Sequence, residues 1–318
     1  MITSWHAIDG KEQRWLRADK GTSPYYGTPG TYKPSAATTG VPTDVTLTTY
    51  NGNMIITTPG TVLDSLDVFG FIQVRTANVT IRNCRVRGLG GGTNNTGLIL
   101  ATHSAVQNLV VQDCTLVPDT PSYWLDGIMG HDYTATRCNV YNLVDGFGGY
   151  NTYNPGGPIN VYLYSNYVHD LSYFSPDPNH PSDNQTHNDC FQPQGGSNIR
   201  VIGNNFQAFY STDPTVGTQN QPRPQANSAI QYNANVGTIT DCWVTNNWFD
   251  GGGITVNVAT PSTDIGRINN NQFGRNSYYQ GSDGDTTYTV SMPSTTTCET
   301  IDNVYEDNGH AILVRHNG

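Results

Sequence analysis

Val79-Thr80-Ile81-Arg82-Asn83-Cys84-Arg85-Val86 holds two or three β-branched residues, a polar residue, a small corner residue and a further apolar position. The chain repeats this unit. It recurs as Val62-Leu63-Asp64-Ser65-Leu66-Asp67-Val68, Val110-Val111-Gln112-Asp113-Cys114-Thr115-Leu116 and Thr136-Arg137-Cys138-Asn139-Val140. Further on it reads Leu163-Tyr164-Ser165-Asn166-Tyr167-Val168, Ile202-Gly203-Asn204-Asn205-Phe206 and Thr245-Asn246-Asn247-Trp248-Phe249. Asn270-Asn271-Gln272-Phe273 and Asp302-Asn303-Val304-Tyr305 complete the series. The aligned corner is therefore Leu66, Cys84, Cys114, Cys138, Asn166, Asn204, Asn247, Asn271 and Asn303. Its spacing ranges from 18 residues between Leu66 and Cys84 to 43 between Asn204 and Asn247. Propeller blades and leucine-rich repeats keep stricter periods, so both are excluded.

A repeat of short strands with variable insertions is the pattern of stacked coils. Equivalent residues in neighbouring coils lie about 4.8 Å apart. An Asn at an inward bend can bond the amides of its neighbours as a ladder, and Cys fills the same tight corner as a small hydrophobe. The fold class read from this is all-β, a right-handed parallel β-helix (solenoid) with a short N-terminal cap helix and arm. A second strand follows each corner: Gly97-Leu98-Ile99-Leu100, Asp126-Gly127-Ile128-Met129, Asp145-Gly146-Phe147-Gly148 and Asp189-Cys190-Phe191-Gln192. Later copies are Ala229-Ile230-Gln231-Tyr232, Ile254-Thr255-Val256 and Ala311-Ile312-Leu313-Val314. Stacked Cys84, Cys114 and Cys138 are expected as free thiols, because parallel in-register side chains have poor bridging dihedrals. Cys190, Cys242 and Cys298 show no metal-ligand spacing, so no metal and no cofactor is expected.

Composition agrees with many short strands. Charged residues are only 13% while Gly reaches 34 and Tyr 19, unlike a disordered chain. The net charge is −10, and the three lysines Lys11, Lys20 and Lys33 all lie near the start. Such a chain is poorly suited to nucleic-acid backbones, and a neutral glycan fits the balance better. No apolar run reaches the roughly 18 residues of a membrane span, so no membrane insertion is expected. Met1 to His6 lacks the basic stretch and apolar core of a signal peptide. Either a signal has been removed, or the protein is made in a cytoplasm and reaches the outside as virion parts do. The expected location is a virion tail or the extracellular space.

Residues 1–45 read as the cap and arm, and 46–318 as the solenoid. Asp9-Gly10-Lys11-Glu12 is a capping box for a short helix carrying Trp15 and Leu16. That helix could cover the first coil's open edge. Gly21 to Pro42 reads as an extended arm, which either caps the solenoid or attaches it to a larger assembly. The longest insertions, Leu171–Asp189 and Gln207–Ser228, carry the most functional weight. Tyr123, Trp124, Tyr150, Tyr153, Tyr173, Phe174 and Tyr210 lie in or near such loops, as rings for stacking on sugars or for packing the loops down.

Chemistry concentrates in Thr186-His187-Asn188-Asp189-Cys190-Phe191-Gln192-Pro193-Gln194. In an extended chain His187 and Asp189 point the same way, an acid–base pairing, and Gln192 and Gln194 continue the polar row. Asp126, Asp145 and Asp189 take equivalent places in successive coils. Stacking would give carboxylate separations of about 5 or about 10 Å, bracketing the glycosidase geometries. Asp before Gly, as in Asp126-Gly127 and Asp145-Gly146, is equally a turn signal. Asp189, His187, Asp145 and Asp126 are thus the catalytic candidates. Gln192, Gln194, Gln231, Tyr232, Trp124, Tyr173 and His131 are the substrate-binding candidates. His103 could flank the same groove, whereas His169-Asp170 reads as structural.

The aligned coils, the Thr39-Gly40-Val41-Pro42 lead-in and the Val79–Val86 unit resemble the pectate-lyase-like β-helix superfamily over about residues 39–318. The similarity looks closest to minor tail or tailspike proteins of phages infecting actinobacteria. His187-Asn188-Asp189-Cys190-Phe191-Gln192 resembles the group's His-x-Asp-Gly-Ile/Val-Gln motif, with Cys190 in place of Gly. The resemblance implies a tail protein that binds and hydrolyses host surface polysaccharide, a glycoside-hydrolase-type depolymerase. Its partners would be that polysaccharide and other tail proteins, in a possible homotrimer. Two alternatives stay open: a non-catalytic receptor-binding or structural tail component, and a secreted bacterial polysaccharide lyase. Lyases of the superfamily use a Lys or Arg base with Ca²⁺. No Lys falls in the expected coils, which leaves Arg137 and Arg200.

Overall fold

The computed structural model describes residues 30–92, 94–211, 226–259, 264–277 and 289–317. Among them, successive strands are dealt in rotation to three parallel sheets of ten, ten and nine strands. The first coil is Thr48–Asn51 in sheet A, Met54–Ile56 in sheet B and Val62–Asp64 in sheet C. Every later coil repeats that order, giving a right-handed parallel β-helix, the hand that parallel crossovers take. All nine corner residues share one line: Asp67 pairs with Arg85, Arg85 with Thr115, Thr115 with Asn139 and Asn139 with Tyr167. The line continues through Asn205, Trp248, Gln272 and Val304.

The bend from sheet C to sheet A explains why that line survives irregular spacing. The residue before each corner has a left-handed backbone: Ser65, Asn83, Asp113, Arg137, Ser165, Gly203, Asn246, Asn270 and Asp302 all have positive φ. Gly, Asn and Asp accept this region most readily. Arg137 (φ 51°) does so with its guanidinium on the buried Asp113 carboxylate, Nε–Oδ1 2.7 Å and Nη2–Oδ2 2.8 Å. No insertion enters this bend, so every extra residue falls at the other two corners.

Corner side chains then tie coil to coil. Asn204 Oδ1 accepts the Asn166 backbone N–H (2.9 Å) and Asn166 Nδ2 (2.9 Å), while Asn204 Nδ2 donates to the Leu163 carbonyl at 2.9 Å. Asn247 and Asn271 repeat the arrangement, their Nδ2 reaching the Val201 and Val244 carbonyls at 2.8 and 2.9 Å. In the earlier coils a thiol takes the amide's place. Cys114 Sγ donates to the Ile81 carbonyl (3.5 Å) and Cys138 Sγ to that of Val111 (3.6 Å), each three residues before the preceding corner. Cys therefore does more than fill space: it is a weak donor at the Asn position. The cysteines are free thiols, and burial pushes Cys138 up to about 12, which keeps that thiol protonated.

Inside the prism, bulk is exchanged between walls. Val140 and Val168 of sheet A share their coils with Phe147 and Phe191 of sheet B. In later coils Phe206, Phe249 and Phe273 of sheet A face Ile230, Val256 and Val290 of sheet B. All are buried, and their rings run as a chain with centroids 6.4 Å (Phe147–Phe206), 5.9 Å (Phe206–Phe249) and 5.4 Å (Phe249–Phe273) apart.

The described part of the arm lies along the flank. Gly40 N–H donates to the Arg137 carbonyl at 2.8 Å, Asn205 Nδ2 to the Pro34 carbonyl at 2.7 Å, and Lys33 pairs with Glu306 at 2.6 Å. A Cβ on Gly40 would meet Thr115 Oγ1 at 2.6 Å and Asn139 Cβ at 2.9 Å, so glycine is required for this approach. The expected cap helix lies outside the described residues. Two expectations shift: the strand read at Ile254-Thr255-Val256 runs Val256–Val258, and the last sheet B strand is Val314–Asn317, with Val314 paired to Val290. Ala311-Ile312-Leu313-Val314 therefore belongs mostly to the loop before it.

Asn204→Ala leaves the buried Asn166 N–H without its acceptor, and unfolding in urea should show a loss of roughly 1–3 kcal/mol. Asn204→Cys should lose less, because a thiol serves that corner in other coils.

Candidate functional site

The long insertions all join sheet A to sheet B. His169 is separated from Asp189, Ala208 from Ser228 and Phe273 from Val290 by such connections. The long connections thus enter sheet B along one edge, whereas the bend before sheet A has none. Alternation decides which side chains reach that wall. Ile128, Phe147, Phe191, Ile230 and Val256 point inward and pair in register. The next residues, Met129, Gly148, Gln192, Gln231 and Asn257, therefore form one outward column.

Amides dominate its later half. Gln194 Nε2 donates to Gln192 Oε1 at 2.6 Å, and Gln192 Nε2 to Asp189 Oδ2 at 3.4 Å. Gln231 Oε1 accepts Ser228 Oγ at 3.1 Å and Asn257 Nδ2 at 2.9 Å. Gln192, Gln194 and Asn257 are half-buried and Gln231 is 8% exposed. Asn227, Ser228 and Asn257 were not singled out in the sequence. Extending the period-two pattern one residue past Val256 would have found Asn257.

The three aspartates do stack. Each stands two residues before a member of the paired Ile128–Phe147–Phe191 row, and Asp189 pairs with Ser228. Their carboxyls serve backbone amides one coil on. Asp126 Oδ1 accepts the Asp145 N–H (3.0 Å) and Asp145 Oδ1 the Asp189 N–H (2.8 Å). Asp189 Oδ1 accepts Asn227 Nδ2 at 2.9 Å, and the side chain is fully buried. Burial raises Asp126 to about 7. It also lifts Asp145 and Asp189 well above the carboxylate range, Asp145 being pushed further by the acids on either side. The turn reading and the stacking reading of these residues are one arrangement.

Several candidates sit elsewhere than expected. His187 does not face Asp189: its Nε2 bonds Asp183 Oδ2 at 2.5 Å, and its ring stacks on His180 with centroids 4.6 Å apart. The strand starts only at Asp189, so the extended alternation that would align the two is absent one residue earlier. Tyr232 belongs to the core, not the wall. It follows outward Gln231, is 1% exposed, and its hydroxyl lies 3.4 Å from Cys242 Sγ. Tyr173 is buried beneath its own loop, donating to Gln185 Oε1 at 2.8 Å beside Tyr210. It is spent on loop packing and offers no face to a ligand. Trp124 is half-buried against the core, 4.8 Å from Tyr123, which also meets Phe174 at 6.2 Å. His131 is buried with Nδ1 on Asp132 Oδ2 at 2.8 Å. Residues 212–225 of the second long insertion lie outside the described residues.

Comparison of the chain with protein-family models, with curated proteins and with solved structures finds no match.

Asp189→Ala should cost roughly 1–3 kcal/mol by stranding the Asn227 amide. Asp189→Asn, which keeps an Oδ1 acceptor in the same volume, should cost under about 1 kcal/mol. Paired denaturation curves would separate the two.

Proposed function

We propose that the outer wall of sheet B holds an extended, uncharged polysaccharide lengthwise, as a non-catalytic receptor-binding component would. The observation that carries this reading is the single outward column of Gln192, Gln231 and Asn257, joined by Gln194. Carboxamides both donate and accept, so they match hydroxyl and acylamino groups without demanding a charge. Repetition at about 4.8 Å along the axis presents the same chemistry again and again, which suits a polymer better than a small molecule. The setting consistent with the sequence resemblance is a phage tail, with host surface polysaccharide as the partner.

Hydrolysis by the acidic column has less support. Asp189 is fully buried with both oxygens bonded to protein groups, and His187 is engaged by Asp183. A carboxyl must reach the scissile bond to protonate it. The column is better described as structure behind the wall.

Binding of neutral host-wall glycans should be measurable by calorimetry, with no reducing ends released on prolonged incubation. Gln192→Ala and Gln231→Ala should each weaken it by about three- to tenfold, the worth of one hydrogen bond. Product release that disappears in Asp189→Asn would replace this reading with the hydrolytic one.

A further inference from the structure

The course of the arm decides which end of the solenoid residues 1–29 depart from. Gly40 N–H meets the Arg137 carbonyl in the coil of Cys138, and the Pro34 carbonyl meets Asn205 in the coil of Asn204. Gly30 lies against the bend of the next coil, where a Cβ on it would stand 2.5 Å from Asn246 Cβ. Lys33 reaches further, to Glu306 beyond the last strand of sheet A. Followed toward the N-terminus, the arm therefore climbs the outside of the solenoid from early coils to late ones.

Distance then separates the two ends. From Trp248–Gly251, the strand after the Asn246 bend, the last strand of sheet A is two places away and the first is seven. Strand spacing makes these about 10 and about 34 Å. Extended chain covers at most about 3.5 Å per residue, so the nine steps from Gly21 to Gly30 reach about 32 Å. Fully stretched back along the arm, they fall short of the first coil, where the sequence placed the cap. The last coil needs only about three of them.

That coil has a surface to cover. Val304–Tyr305, Val314–Asn317 and Thr297–Glu299 end sheets A, B and C. Ala311 bridges to Val304, and Ile312 N–H donates to the Asn303 carbonyl at 3.1 Å, so the chain's own return shields the edge of sheet A. Ile301 and Leu313 are still 50% and 44% exposed, and Cys298 packs on the core only partly buried. Exposed Glu299, Asp302, Glu306 and Asp307 surround them. Residues 1–29 hold the complement: Trp5, Trp15 and Leu16 for the apolar part, and Lys11, Arg14, Arg17 and Lys20 for the acids. The Lys33–Glu306 pair is the same kind of contact, already made where the arm begins.

We propose that residues 1–29 fold over the last coil and close that end of the solenoid, with the Trp15-Leu16 stretch against Ile301 and Leu313. A terminal coil otherwise offers its strand edges to other chains. The N-terminal segment thus stoppers the end made last, and the first coil, with Tyr50, Ile55 and Val62 exposed, is the end it leaves open.

Carbodiimide, which joins an amine to a carboxylate it touches, tests this in the intact chain. Mass spectrometry should find Lys11 or Lys20 joined to Glu299, Asp302 or Asp307, with the Lys33–Glu306 link as the internal control. Links to Asp44 or Asp64 of the first turns, links only between labelled and unlabelled chains, or no link beyond the control each overturn the proposal. Cys298 gives a second reading, because every other cysteine is fully buried and a maleimide therefore reports on the last coil. Replacing Trp15→Ala and Leu16→Ala together should speed its modification at least about tenfold, the worth of one buried apolar side chain. Hydrogen exchange of the Thr48–Asn51 amides should not change. An unaltered Cys298 rate, or a loss of protection at Thr48–Asn51 instead, overturns the proposal. Should the double variant not fold, the cross-links in the wild type decide.

Discussion

Everything in this molecule depends on a hydrogen bond that crosses from one coil to the next at a single corner. Each buried Asn carboxamide accepts the backbone N–H of the preceding corner and returns a donor to a carbonyl three residues before it. Both partners of every bond are thereby satisfied in a place water does not reach, where an orphaned amide would cost 1–3 kcal/mol or so. The left-handed residue before the corner makes the bend a fixed length, and so the ladder holds the register whatever the loops do elsewhere. A slip of one residue would turn every inward side chain outward. Sheet B's wall, far from the ladder, inherits its order from it.

The sequence made this part legible because the bend never varies: nine copies of a left-handed residue followed by Leu, Cys or Asn align without gaps. Sheet B's strands follow insertions of unequal length, and there the reading loosened. Ala311-Ile312-Leu313-Val314 has the apolar content of a strand, yet Ile312 and Leu313 lie before the strand and outside the buried set. Tyr232, a binding candidate by residue type, is returned to the interior by period two from inward Ile230. His187 pairs with Asp189 only under an alternation that in fact begins two residues after it. The direction of the arm could not be read at all, since Gly40 and Pro34 gain meaning only from Thr115, Asn139 and Asn205, which are distant in sequence.

Two corners of the same prism solve one problem with different chemistry. At the bend before sheet A, carboxamides receive the preceding coil's amides and carry no charge. At the bend before sheet B, Asp126 and Asp145 accept the following coil's N–H groups with carboxyl oxygens. The second solution is isosteric with the first but titratable. An amide ladder is indifferent to pH, whereas an acid ladder must hold protons to be equally quiet. The difference is one heavy atom per coil, and it sits where the chain enters sheet B.

The Val–Phe exchange between sheets A and B carries a consequence for how such a chain can change. From Val140 to Val290 each coil sets one Phe against one aliphatic residue across the two walls, so the unit on which substitution acts there is the pair, not the residue. Enlarging Val140 alone would crowd Phe147 across the same slice of the prism, while a matched reduction of Phe147 would restore the fit. Neighbouring slices would register only the shift of a ring along the Phe147–Phe206–Phe249–Phe273 file. Drift in the interior should therefore proceed by coupled steps confined to single turns of the screw, leaving its outline, and the wall it displays, untouched.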